Sequence, residues 1–292
     1  MKRYLPLITA TLLLASCGTA PVPEAPVPET TLGTPATEAP VPSTRDLYAD
    51  AIADPARFFA DLDGLDGTFA YDVLDINGDL EPELLLRAGA DGPSPIRVLR
   101  AQDGTLSWTK DYLIDSDDPY PTVFTNGTQP GLDQYEAESP LLHVTHFELR
   151  GQRLEKVWGP EETVVGNPLS EFTRITWHPT TAAAALGTIK PPELKGPMEG
   201  TMGQVSEVEH LQGQQFRVWF APTADGIAVT YPELGCAGQL TRTEDGFRET
   251  ITEGTCDNGG TWHLLIDDNH AHAFYNSPDG RYTADGRLTP AG

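Results

Sequence analysis

From residue 200 to residue 292 the chain repeats one device: a short segment of alternating apolar and polar residues, then a turn built on Gly or Asp. The segments are QQFRVWFAP, GIAVTYP, CAGQLTRTEDG, FRETITEG, GTWHLLIDD, HAHAFYNSPDG and RYTADGRLTP. ADG, EDG, DNGG and SPDG punctuate them. Alternation with period two buries one face of a strand, and turns this close together join antiparallel neighbours. A meander with one apolar face still has two raw edges. Closing it as a small barrel or sandwich hides them. The sequence therefore predicts an antiparallel β-domain over 200–292.

The preceding stretch, HPTTAAAALGTIKPPELKGPME, has alanines in a short helical run and then prolines and glycines, which marks 179–199 as a linker. Upstream, RDLYADAIADPARFFADL spaces Leu47, Ile52, Phe58 and Phe59 near helical intervals, with Pro55 opening a second helical segment. GLDGTFAYDVLD then switches to strand composition. ELLLRAG, IRVLRAQDG and LSWTKDYL follow as short apolar segments, LLHVTHFELRGQRLEKVWG supplies two strands about RGQR, and EFTRITW adds another. The expectation is a mainly β chain: a helix-led α+β domain over 45–178, then the linker, then the barrel or sandwich. No clear repeat links the two domains.

The chain starts MKRYLPLITATLLLASC. Lys2 and Arg3 precede an apolar run too short to span a bilayer permanently, which reads as an export signal. Leu14-Ala15-Ser16-Cys17 resembles the bacterial lipobox of Leu, two small residues and Cys. The resemblance implies a lipoprotein signal peptide over 1–17, cleavage before Cys17, acylation of Cys17 (palmitate included) and a membrane anchor on the extracytoplasmic side. Gly18 stands where an inner-membrane retention Asp would stand, which favours the outer membrane in a cell with two. Gly18 to Thr44 carries seven prolines and three glutamates in 27 residues, with no aromatic and no basic side chain. Such a segment fills no core. It is a tether of at most roughly 80 Å at about 3.1 Å per residue.

The whole chain carries a formal charge of -24, and loss of Lys2 and Arg3 takes it two further negative. Nucleic-acid binding needs Lys and Arg to neutralise phosphate, so that class is excluded. Electrostatic adhesion to anionic lipid is excluded likewise, and the acyl chains must do the anchoring. Cys236 and Cys256 remain after Cys17 is acylated. An even pair in an exported protein predicts a disulfide.

DINGDLEPE, residues 75–83, raises the question of chemistry. Asp75, Asn77, Asp79 and Glu83 occupy its first, third, fifth and ninth positions, and Glu81 offers a backbone carbonyl at the seventh. Calcium takes six to eight such oxygens. The stretch resembles the DxNGDGxPEL calcium loops of exported bacterial proteins, with FAYDVL leading in and LLL leading out. That resemblance implies one structural calcium ion. Leu80 departs from it, since Gly normally holds the sixth position at positive φ, and Leu86 at the twelfth rules out a full EF-hand. The other reading is a β-turn whose carboxylates cap backbone amides. A negative φ at Leu80, with Asp79 turned outward, would mark that capped turn.

Other chemistry is sparse. His270 and His272 share one face of a strand and, with Asp267 or Asp268, have the makings of a transition-metal site; solvated strand histidines are the plainer reading. His143 and His146 are three apart on a strand and do not pair. The chain has no HExxH, GxSxG, glycine-rich phosphate loop or CxxC. Trp219, Tyr231 and Trp262 are candidate partner contacts of the β-domain. In architecture and location alone, the chain is similar to small disulfide-bearing lipoproteins that inhibit cell-wall hydrolases. The expected function is a lipid-anchored cell-envelope protein with a non-catalytic binding or structural role, its partner a protein, glycan or small ligand. An envelope hydrolase with an unassigned carboxylate site, or a hydrolase inhibitor, is the alternative.

Overall fold

Ser43 is the N-cap of α1 (Thr44–Ala53). Its Oγ accepts from the Asp46 N–H at 3.2 Å, and the Asp46 carboxylate accepts from the Ser43 N–H, so two orphan helix donors are satisfied reciprocally. Thr44, assigned to the tether from sequence, is the first helical residue. Pro55–Phe59 follows as a 3-10 turn with its proline at the start, where the missing N–H costs nothing. In the computed structural model the described residues are 41–90, 92–116, 122–125, 127–138, 141–164, 173–182, 186, 192–206, 212–267 and 270–292. The signal peptide, Cys17 and the tether as far as residue 40 lie outside them. Residues 41–292 form one compact unit.

Two antiparallel sheets follow the helices. The first has β1 (Leu65–Leu74), β2 (Glu83–Ala90), β3 (Ser94–Gln102) and β4 (Thr105–Trp108), with β5 (Leu113–Asp115) also paired to β3. The second has β6 (Val123–Thr125), β7 (Leu132–Glu138), β8 (Leu141–Arg150) and β9 (Arg153–Val164). Two-residue strands finish both: β10 (Thr173–Arg174) lies beside β6, and β11 (His178–Pro179) beside β1. Each sheet is thus the same four-stranded meander with a short strand added at its first edge.

The run ELLLRA does not alternate because β2 is covered on both faces. Leu84 and Leu86 pack with Tyr48, Ile52, Phe58 and Phe59 from the helical side. Leu85 points the other way, to a core shared with Ile96, Val98, Val123, Leu132 and Leu149. Strand β11 and buried Leu186 belong to the first sheet and its core, so this half extends into the stretch read as a linker.

The C-terminal part is a closed eight-stranded antiparallel barrel in sequence order. Its strands are β12 (Met198–Ser206), β13 (Gln215–Thr223), β14 (Gly226–Tyr231), β15 (Cys236–Thr243), β16 (Gly246–Glu253), β17 (Thr261–Asp267), β18 (His270–Asn276) and β19 (Tyr282–Pro290). Pairing of β12 with β19 closes it. Inward residues fill the interior: Met202, Val218, Phe220, Val229, Leu240, Leu264, Ala273 and Leu288 pack around Trp262. The Trp262 ring meets Phe220 edge-on at 5.1 Å and Tyr275 at 4.8 Å.

Two of the three proposed contact aromatics are therefore corrected. Trp262 is 0% exposed and Tyr231 5%, and both serve the interior. A barrel this narrow is filled by its own large side chains. Trp219 alone of the three keeps solvent-facing surface. Cys236 and Cys256 are bonded, with Cα atoms 6.2 Å apart, across a sequence separation of 20. In the chain-entropy model a loop of that size contributes roughly 3 kcal/mol.

Glu249 is an ionisable group in this apolar interior, buried beside Trp262 and accepting the Tyr231 hydroxyl. Burial raises its pKa, against the opposing effect of the Tyr231 hydrogen bond. A carboxyl raised on folding makes the folded state bind more protons than the unfolded one. Stability from this group is greatest at low pH and falls as pH climbs from the ordinary carboxylate range through the raised folded value. Glu249→Gln is expected to flatten that fall. Urea unfolding of both proteins between about pH 4 and about pH 8 checks it; parallel curves would show that Glu249 is not the source.

Candidate functional site

The acidic loop joins β1 to β2, and its backbone groups are satisfied mainly by its own side chains. Asp75 accepts from the N–H of Gly78 through Oδ1 at 2.8 Å and from that of Leu80 through Oδ2 at 3.0 Å. Asn77 Oδ1 accepts from the Asp79 N–H at 3.1 Å, and Asp79 Oδ1 from the Glu81 N–H at 2.7 Å. Glu83 Oε2 accepts from the Ile76 N–H at 3.0 Å. Arg100 of β3 reaches in from the neighbouring strand. Its Nη2 donates to Asp79, and its Nε lies 3.6 Å from Glu83 Oε1.

Charge is concentrated here out of water. Burial, and then the charge of Asp79, push the Asp75 carboxyl up to about 7. Burial raises Asp79 against the pull of Arg100, and Glu83, fully enclosed, is raised well above the ordinary range by burial and by both aspartates. Three carboxylates face one guanidinium, so the ionised group carries two surplus negative charges. Glu83 Oε1 and Arg100 Nη1 are buried without a hydrogen bond.

Two observations test the calcium reading. Leu80 has φ +66, and Asp79 is 2% exposed, so these two marks of the capped turn are not met, while its defining feature, carboxylates that cap backbone amides, is present. The backbone keeps a left-handed path that glycine adopts most readily. Yet among the described residues no group of three or more His, Cys, Asp or Glu is arranged to hold a metal ion. The oxygens are spread over five backbone N–H groups, and Arg100 supplies the positive charge. In type alone, these donors are the hard oxygens that a divalent cation takes.

The reason for Leu80 lies in the other half of the molecule. Its side chain is part of the barrel's apolar core. A left-handed leucine costs roughly 1–2 kcal/mol, and burying its side chain is worth roughly 1.5–3 kcal/mol, so the plug wins. Strands β16 and β17 pair only at Phe247–Trp262 and Arg248–Thr261, which leaves the Leu264 N–H open. Gly78 O accepts it at 2.8 Å. A Cβ on Gly78 would lie 2.8 Å from that nitrogen and 2.9 Å from His263 Cβ, so no other residue fits. His263 Nδ1 donates to Asn77 O at 2.7 Å.

Further ties make the loop a hub. Tyr48 of α1 donates to Pro82 O at 2.7 Å, and the Gly131 N–H, just before β7, donates to Ile76 O at 2.6 Å. Arg242 of β15 pairs with Glu81 in the open, a contact worth little. Two polar clefts flank the loop. One, of about 320 Å³, is lined by Asp79, Glu81, Arg100 and Arg242; the other, of about 330 Å³, lies on the Asn77 and His263 side.

One buried ionisable pair escaped the sequence reading. Asp133 and His146 sit opposite each other on β7 and β8, 0% and 1% exposed, with His146 Nδ1 2.6 Å from Asp133 Oδ1. Trp158 stacks on the imidazole at 5.3 Å. Only the register brings Asp133 to His146, and register is not legible without knowing the turn. His270 and His272 share a face, ring centres 6.2 Å apart, while the Asp267 side chain and Asp268 fall outside the described residues. No helix among the described residues is long and apolar enough to cross a membrane. No protein-family model, curated protein or solved structure matches the chain.

Proposed function

We propose that the protein is a lipid-anchored component of the cell envelope with a non-catalytic binding or structural role, held through Cys17 on the extracytoplasmic side. The observation that carries the reading is the Cys236–Cys256 bond in the barrel. A structural disulfide needs an oxidising compartment, and the Leu14-Ala15-Ser16-Cys17 signal directs the chain to one. The tether then sets the folded unit away from the lipid, free to meet a partner. The acidic loop takes one structural calcium ion, with Asp75, Asn77, Asp79, Glu83 and the Glu81 carbonyl as donors and Arg100 as the competing cation. The excess of carboxyl groups over the one guanidinium and the left-handed backbone path at Leu80 support this.

Membrane fractionation tests the anchor. The wild-type protein is expected in the membrane fraction, with an acylated Cys17 as the first residue by mass spectrometry. Cys17→Ser should release it or leave the signal uncleaved. A wild-type protein recovered soluble with Cys17 unmodified would overturn the reading.

A further inference from the structure

The cleft on the His263 side lies between the end of β8 and strands β16 to β18 of the barrel, at the lower end of the size range for small-molecule sites. Its charged lining balances: Glu148 and Asp245 against Arg150 and Arg248. Glu148 and Arg150 satisfy each other at 2.6 Å. The other two do not pair. Among the described residues no hydrogen bond or ion pair engages the Asp245 carboxylate, and Arg248 spends one Nη1 donor on Gly259 O and keeps the rest.

The same cleft is lined by an oriented acceptor. Asn77 O can only accept, so in the neutral ring His263 Nδ1 carries the proton and Nε2 holds the lone pair. His263 is more than nine-tenths buried, lines the cleft, and makes no second hydrogen bond within the described residues.

A free anion entering here meets Asp245, and a free cation meets Arg248. A ligand carrying both charges, held apart, satisfies both. We propose that this cleft binds a small zwitterion of dipeptide size, with its ammonium on Asp245, its carboxylate on Arg248, and an intervening N–H donated to His263 Nε2. This rests on the binding role proposed above and gives it a ligand class.

Calorimetry of the purified full chain with alanyl-alanine, in L,L and D,D forms, tests it. One form is expected to bind with Kd near or below about 1 mM. N-acetyl-alanyl-alanine lacks the ammonium and alanyl-alanine amide lacks the carboxylate; each should bind at least about tenfold more weakly, which is about 1.4 kcal/mol. Asp245→Asn should erase the penalty for acetylation and Arg248→Gln the penalty for amidation. Both residues are exposed, so the variants should keep the wild-type melting temperature. No heat at about 5 mM dipeptide, or equal binding of free and blocked forms, would overturn the proposal. Fractionation of the same protein separates the two readings. Membrane-bound protein that ignores dipeptide overturns the cleft alone, and soluble protein that binds it overturns the anchor alone.

Discussion

Arg100→Met is expected to lower the stability of the protein by about 3–5 kcal/mol in calcium-free buffer, the range for removing one partner of a buried ion pair. Methionine keeps most of the volume and the flexible stem, so the loss is one of charge. Asp79 and Glu83 are then buried with no cation among their neighbours in the loop. Their carboxyls already lie above the ordinary range, so they respond by taking up protons, and the loss should shrink as pH falls. Calcium separates the two readings of the loop. If the ion and the guanidinium compete for the same oxygens, calcium should stabilise the variant more than the wild type. The gain is about 2.7 kcal/mol at a hundred times the dissociation constant. Urea unfolding of both proteins, in chelator and in about 10 mM calcium with magnesium as the control, reads this directly. Midpoints that ignore calcium in both proteins would end the calcium proposal and leave Arg100 as the loop's own cation.

The residues that were legible in the sequence are those whose environment is set by near neighbours. Residues 270–276 alternate because each inward side chain lies two residues from the next, and the seven punctuated segments mark all but the first strand of the barrel. Whether those strands close as a barrel or split into a sandwich depends on the pairing of β12 with β19, which no local pattern encodes. Pro55 and the spacing of Leu47, Ile52, Phe58 and Phe59 located the helical start for the same local reason. Trp262 and Tyr231 were misread because a large aromatic looks the same in sequence whether it fills a narrow barrel or waits on its surface. The loop was located from its carboxylates, but its cation was not. Arg100 reaches it from β3, and nothing in IRVLRA distinguishes a guanidinium turned into an acidic hairpin from one in solvent. The similarity of the two meanders was hidden too. The second meander has TNGTQPG before β7 where the first has DINGDLEP before β2, and the carboxylates that make the first conspicuous are absent there.

Leu80→Ala is expected to cost about 2–5 kcal/mol, the range for emptying a leucine site in a packed core. Alanine leaves the barrel mouth without its plug and still holds a side chain at φ +66. Leu80→Gly removes the same core atoms but also removes the left-handed penalty of roughly 1–2 kcal/mol, at an entropic cost of about 0.5–1 kcal/mol. Glycine should therefore be no worse than alanine here, and better if the strain is at the upper end. At an ordinary strand or helix position the order is the reverse. The two variants thus report separate things: their common loss measures the plug, and their difference measures the strain. Equilibrium unfolding supplies both numbers. A loss below about 1 kcal/mol in both variants would show that Leu80 is not seated in the barrel. Alanine ahead of glycine by its usual margin would show that the backbone at this position is not left-handed. The expected pattern, a large common loss with glycine level or ahead, has a direct physical source. A turn at positive φ, where glycine would be free of strain, holds a leucine because the neighbouring barrel buries it, and that burial outweighs the strain.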